Sequence, residues 1–177
     1  MLIGMMGSGK STIGRSISGR TGWPYLDNDE LVQQARGVNA RELLATAGEA
    51  ELRGAEADAL LLGLASPEPV LLGAAGGTIL DPAVREALLA SAFVVWLRAS
   101  PETLAARASG AAHRPWLATD AEGWMRRTLE ERTPLYESVA SLSIMTEGRS
   151  VDESATEVVD WLASASPCAA WLKQAPD

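Results

Sequence analysis

Near the start of the chain, Gly4-Met5-Met6-Gly7-Ser8-Gly9-Lys10-Ser11 matches the pattern G-x-x-x-x-G-K-[ST] in full. Apolar Met1 to Ile3 precede it as a strand, and Ser11-Thr12-Ile13-Gly14-Arg15 continue it as a helix. A glycine-rich turn between a strand and a helix presents backbone amides at a helix N-terminus, which is an anion site. Gly4, Gly7 and Gly9 leave room for the backbone to wrap phosphates. Lys10 supplies a compact charge to the β- and γ-phosphates, and the Ser11 hydroxyl a ligand to Mg²⁺. Gly7, Ser8, Gly9, Lys10, Ser11 and Thr12 are therefore the expected ATP-binding residues. Lysine is scarce elsewhere: Lys173 is the only other one.

Short apolar runs follow at Val70 to Ala74, Ala92 to Leu97 and Leu142 to Met145, with an extended stretch at Trp23 to Leu26. Helical patterns separate them: Ala40 to Leu64 with a break expected at Gly48, and Asp152 to Ala163. Asp81-Pro82 and Ser100-Pro101-Glu102 each offer an N-cap followed by proline at the first helical position. This alternation predicts a three-layer α/β fold, a central parallel sheet of about five strands with helices on both faces. One domain is expected over residues 1–165, since no linker or repeat divides the chain. Residues 109–120, with Gly110, His113, Arg114 and Pro115, lack periodicity and are read as a mobile lid, and 166–177 as a C-terminal tail.

Fifteen lysines and arginines against 23 acids give a net charge of −8, which argues against a nucleic-acid partner. Ser66 and Glu68 interrupt the longest apolar run, so no membrane span is expected. Met1 to Met6 lack a preceding cationic segment, and Cys168 is the only cysteine; both fit a cytoplasmic chain.

The strands at Val70 to Ala74 and Ala92 to Leu97 end without an acid, so the metal-supporting carboxylate is sought in Asp27-Asn28-Asp29. In such an array both carboxylates emerge on one side of an extended segment. One can support Mg²⁺ while the other takes a proton from an acceptor hydroxyl. The same residues also fit the N-cap of the helix that follows. Arg53 lies on a helix beside Glu49, Glu51 and Glu56, Ala75-Gly76-Gly77-Thr78 follows a buried strand, and Arg132 precedes Thr133-Pro134-Leu135-Tyr136. Arginine's planar fork suits a carboxylate. Two separated arginines and a DxD thus suggest an acceptor bearing a carboxylate and hydroxyls.

In this order, Gly4 to Ser11, Asp27/Asp29, Gly48 to Arg53, Ala75 to Gly77, Arg114-Pro115-Trp116 and Arg132 to Tyr136 closely resemble the motifs of shikimate kinases, over nearly all of Met1 to Ala163. The resemblance implies a P-loop kinase fold and ATP-dependent phosphorylation of the shikimate 3-hydroxyl on the way to chorismate and aromatic amino acids. It implies Ser11 and Asp27 for Mg²⁺, and Lys10, Asp29 and Arg114 as catalytic residues, with Asp29 at the acceptor hydroxyl. Arg53 and Arg132 would hold the carboxylate and Gly76 and Gly77 line the pocket. Arg114 in the lid would reach ATP phosphates, while Arg107 and Arg149 would flank the adenine. His113 is left without assigned chemistry, and the chain is expected to act as a monomer. Leu52, Ala75 and Trp116 replace the family's Phe, Gly and Leu. Two alternatives stay open: a P-loop kinase for another hydroxylated acid or polyol, and a nucleotide-binding regulatory module, which would have no need of Asp29, Arg53 and Arg132.

Overall fold

The structure is a computed structural model that describes residues 1–108 and 117–164. The tail, and most of the expected lid including His113, Arg114 and Trp116, lie outside the described residues. Five parallel strands form one sheet in the order β2-β3-β1-β4-β5. They are β1 Leu2–Ile3, β2 Tyr25–Asp27, β3 Leu71–Gly73, β4 Val95–Arg98 and β5 Leu142–Met145. Seven helices are described: α1 Lys10–Thr21, α2 Asn28–Arg36, α3 Ala40–Leu64, α4 Pro82–Ser91, α5 Pro101–Ala108, α6 Leu117–Val139 and α7 Val151–Ser164. The expected three layers and strand number are observed.

Alternating strand side chains divide the core. Leu2, Leu71, Val95, Leu97 and Ile144 face α1 and α7, where they meet Ile13, Ile17, Val158 and Leu162. Ile3, Leu72 and Trp96 point the other way, onto Leu60 of α3, Leu88 of α4, Leu104 of α5 and Tyr136 of α6. Burial on both faces explains why β3 and β4 read as unbroken apolar runs. A smaller cluster joins α2 to α3 through Val32, Leu43 and Leu52.

The local signals behave as their chemistry requires. Asp81 caps α4, accepting from the N–H groups of Ala83 at 2.7 Å and Val84 at 3.4 Å. Ser100 Oγ accepts from Thr103 N–H at 3.2 Å ahead of α5. Gly48 interrupts α3 with φ 86° and ψ 176°. Strand limits shift by one to three residues from expectation, β2 to Tyr25–Asp27 and β3 to Leu71–Gly73, and two differences have a visible cause. β4 begins at Val95 rather than Ala92, because the Ala92 N–H closes α4 on Leu88 O at 3.1 Å. The backbone at 117–120, expected as loop, already belongs to α6, with Asp120 out of helical geometry at φ −154° and its Oδ1 accepting from Gly123 N–H.

With β3 on one side of β1 and β4 on the other, the chain changes direction across the sheet at β1. Ligands of open parallel sheets bind in the crevice at such a point, beyond the carboxyl ends of the strands. Gly4 to Gly9 leave β1 into that crevice, and Asp27, Gly73, Arg98 and Met145 end the other four strands at the same edge.

Candidate active site

The loop between β1 and α1 is held open by its glycines. A Cβ on Gly4, where φ is +141°, would lie 2.5 Å from Leu97 O, and one on Gly7, where φ is +81°, 2.7 Å from Leu104 O. Lys10 Nζ donates to Gly4 O at 2.9 Å and Met5 O at 3.0 Å, so the ammonium is anchored across the loop. Gly9 caps α1 without a side-chain hydrogen bond. The first-turn amides are therefore left for an anion. Ser8 Oγ is buried and finds no partner among the described residues.

At the end of β2, Ser11 Oγ donates to Asp27 Oδ2 at 2.7 Å. Asp27 Oδ1 accepts from Asp29 N–H at 3.2 Å, capping α2. The capping and metal-supporting readings of Asp27 are thus compatible, one oxygen for each. Its donor set fits Mg²⁺: a hydroxyl and a carboxylate, both hard oxygens, beside the phosphate loop, where Mg²⁺ is commonly held by one or two protein groups plus phosphate oxygens. Asp29 follows in the first turn of α2, exposed at the crevice edge. Asn28 is fully buried, and both its amide atoms lack a partner among the described residues. Tyr25 donates to Asp27 Oδ2 at 3.0 Å; burial, then the Asp27 charge, push its phenol well above the usual range.

Two arginines converge on the turn after β3. Arg53 reaches it from α3, close enough that a Cβ on Gly77 would lie 2.3 Å from its Nη1. Arg53 is fixed by Glu56 at 2.7 Å and Glu49 at 3.1 Å. Burial works against its charge, but the pairing with Glu56 and then Glu49 outweighs it, so its pKa stands above the ordinary value. Arg132 arrives from α6 and donates to Gly76 O at 2.8 Å, while its buried Nε finds no partner among the described residues. Tyr136, one turn on, donates to the same carbonyl at 3.0 Å. A buried guanidinium N–H with no acceptor is a place for a carboxylate oxygen.

On the other side of the loop, a cavity of about 220 Å³ is lined by Ser8, Gly9, Thr12, Arg107, Thr146 and Arg149. Arg107 donates to Thr146 Oγ1 and Thr146 O, both at 3.0 Å. Arg149 is ion-paired with Glu157 of α7. Both expected adenine-flanking arginines therefore line one cavity next to the loop. A second cavity, about 240 Å³, opens at the ends of β4 and β5 between Arg98, Leu104, Leu129 and Glu147.

Among the expected site residues, the structure gathers the Gly7 to Thr12 loop, Asp27 and Asp29 at one crevice, and Arg53 and Arg132 over Gly76 and Gly77; Arg114 is outside the described residues. Sequence reasoning did not single out Glu56, Tyr25 or Thr146. Glu56 had a signal, its i,i+3 spacing from Arg53, with burial to 5% exposure marking it as more than a solvated acid. Tyr25 had one too, its i,i+2 spacing from Asp27 on an extended segment, although the seat of its ring against Gly14 and Gly73 had none; Thr146 had no signal, because Arg107 comes to it from a different helix.

Loop, switch-point crevice and paired arginines, taken with the parallel sheet, are those of a P-loop kinase for a small molecule. Comparison with known proteins narrows the class. The family model for shikimate kinase matches residues 6–163. A shikimate kinase of Symbiobacterium thermophilum is 36% identical, over 92% of this chain and 94% of its own. One from Bradyrhizobium diazoefficiens is also 36% identical, over 92% and 78%. The solved shikimate kinase of Acinetobacter baumannii in complex with shikimate superposes with a TM-score of 0.86 at 29% identity, covering 92% of this chain and 91% of that one. The chain belongs to the shikimate kinase family.

Proposed function

We propose that the chain transfers the γ-phosphoryl group of ATP to the 3-hydroxyl of shikimate, giving shikimate 3-phosphate and ADP. The observation that carries the acceptor assignment is the convergence of Arg53 and Arg132 on the Gly76-Gly77 turn, one held by buried Glu56 and the other with its Nε without a partner among the described residues. Fixed guanidinium groups at a pocket floor bind a planar carboxylate and orient the ring that carries it.

In this reading the loop amides and Lys10 hold the β- and γ-phosphates and stabilise the charge that spreads over the transferring group. Ser11 and Asp27 hold Mg²⁺, which when bound neutralises charge on the phosphate oxygens. Asp29 accepts the proton of the acceptor hydroxyl as that oxygen bonds to the γ-phosphorus and the bridging oxygen departs with ADP. The cavity between Arg107 and Arg149 receives the base. Arg114, by the family resemblance, would add a contact to the ATP phosphates.

The test is ADP formation against a panel of hydroxylated ring acids and polyols, shikimate included, with purified protein, ATP and Mg²⁺. Shikimate is expected to give the highest kcat/KM, about a hundredfold or more above an analogue lacking the carboxylate, whose loss removes the acceptor for the remaining N–H groups of both arginines. A higher kcat/KM for a different acid would replace the acceptor. ATP binding without turnover on any member of the panel would overturn the enzymatic reading.

A further inference from the structure

Tyr25 opens β2 two residues before Asp27, which places both side chains on the same face of the strand. Its hydroxyl donates to Asp27 Oδ2, the oxygen that also accepts from Ser11 Oγ. The ring is keyed into space left by two glycines on different elements. A Cβ on Gly14 of α1 would lie 2.3 Å from Tyr25 Cε2, and one on Gly73 of β3 would lie 2.1 Å from the Tyr25 hydroxyl oxygen. The Arg15 guanidinium, 5.6 Å from the ring centroid, covers the remaining side. The hydroxyl therefore occupies the place of a side-chain methyl at residue 73.

A ring that only filled volume would not require that exchange, because phenylalanine opposite alanine would occupy nearly the same space. What the tyrosine adds is a donor aimed at one carboxylate oxygen. Asp27 is under two demands: Oδ1 caps α2 through Asp29 N–H, and Oδ2 faces Ser11. When the Ser11 oxygen turns to a metal, Ser11 alone would leave the carboxylate free to rotate toward the helix cap. A second donor fixed between α1 and β3 prevents that rotation. Groups that orient metal-supporting carboxylates contribute measurably to metal affinity.

We propose that Tyr25 is a positioning residue whose hydroxyl holds the Asp27 carboxylate, together with Ser11, in the orientation that takes the Mg²⁺ of the bound nucleotide. This rests on the assignment of Ser11 and Asp27 to Mg²⁺.

The experiment is calorimetric titration of the full chain with ADP, in EDTA and across a series of Mg²⁺ concentrations, without turnover. Tyr25→Phe is expected to raise the Mg²⁺ concentration that half-maximally enhances ADP binding by roughly tenfold, while ADP affinity in EDTA changes by less than about twofold. A packing defect is controlled by Tyr25→Phe with Gly73→Ala. Gly73 has no positive φ, so alanine is permitted there, and its methyl fills the vacated site after a small shift from Cζ, 2.9 Å away. The Mg²⁺ requirement should stay raised in this double variant, which is read alone if the single variant fails to fold. A wild-type requirement in the double variant would assign Tyr25 to packing and overturn the proposal. Asp27→Asn separates the two levels of inference. If it raises the requirement and the Tyr25 variants do not, the metal site stands and the tyrosine has no part in it. If it changes nothing, the metal assignment fails and the proposal falls with it.

Discussion

Arg53 shows how a surface helix can present a fixed charge. Its side chain is 37% exposed, yet two guanidinium nitrogens are committed to carboxylates, Nη1 to Glu56 and Nη2 to Glu49. The fork is therefore held in one plane before any acceptor arrives, which lowers the ordering cost of binding. Lysine in its place would keep the charge and lose the plane. Arg53→Lys should weaken acceptor binding by about 1.5–3 kcal/mol with ATP affinity nearly unchanged. Separate titrations with shikimate and with ATP measure this, and equal losses for both ligands would make Arg53 a structural residue. Asp29→Asn tests the acid proposed to meet the acceptor hydroxyl. Asparagine cannot take the hydroxyl proton, so kcat should fall by about 10²-fold or more while ATP affinity is retained. A kcat within a few-fold of wild type would remove Asp29 from proton transfer.

At the scale of elements, the most legible features were those whose signal is local. Gly48 was readable as a break because a positive φ in a helical run favours glycine, and Asp81-Pro82 as a helix start because cap and proline act within one turn. The limits of β4 were not readable, since Ala92 and Phe93 suit a strand by composition and only the exit of α4 decides otherwise. The turn after β3 was recognisable as glycine-rich, but not which glycine mattered. The backbone at Gly77, φ −90° and ψ −17°, is ordinary for any residue, so its requirement is steric. Gly77→Ala places a methyl 2.3 Å from Nη1 and 2.6 Å from Cζ of Arg53, which forces the guanidinium out of its held position and should raise the acceptor KM by roughly tenfold. At Gly76 the nearest atom to an added Cβ is Gly4 O at 3.5 Å, an ordinary contact, so Gly76→Ala should be the milder change. Steady-state kinetics on the pair, with melting curves, check the order; the reverse order would mean that Arg53 does not define the pocket wall.

Across the whole molecule, the phosphate loop was legible because its chemistry is contiguous, whereas the contacts that complete the site join distant segments: Arg107 to Thr146, Tyr25 to Gly73, Tyr136 to Gly76. Tyr136 ties more of the fold together than its motif suggests. It is 1% exposed, its ring is stacked on Trp96 of β4 at 5.5 Å, and its hydroxyl donates to Gly76 O in the turn on which the arginines converge. Burial is the main reason its phenol is pushed up to about 12, against a smaller opposing effect of Arg132. A raised folded-state pKa means that the protonated phenol is favoured by the fold. Its stabilisation is complete below the unfolded value near 10 and is lost as pH rises from there through about 12. That loss is of the order of 2–3 kcal/mol for a shift of this size. Tyr136→Phe should cost about 1 kcal/mol at pH 8, where the hydrogen bond to Gly76 is gone but Arg132 still serves that carbonyl. Between pH 10 and 12 the ordering should invert in slope: wild type loses stability faster than the variant, which has no phenol to ionise at this position. Urea unfolding midpoints across that range measure the difference directly, and the subtraction cancels the contribution of Tyr25, present in both proteins. Parallel curves would mean that the core admits the ionised phenol without penalty.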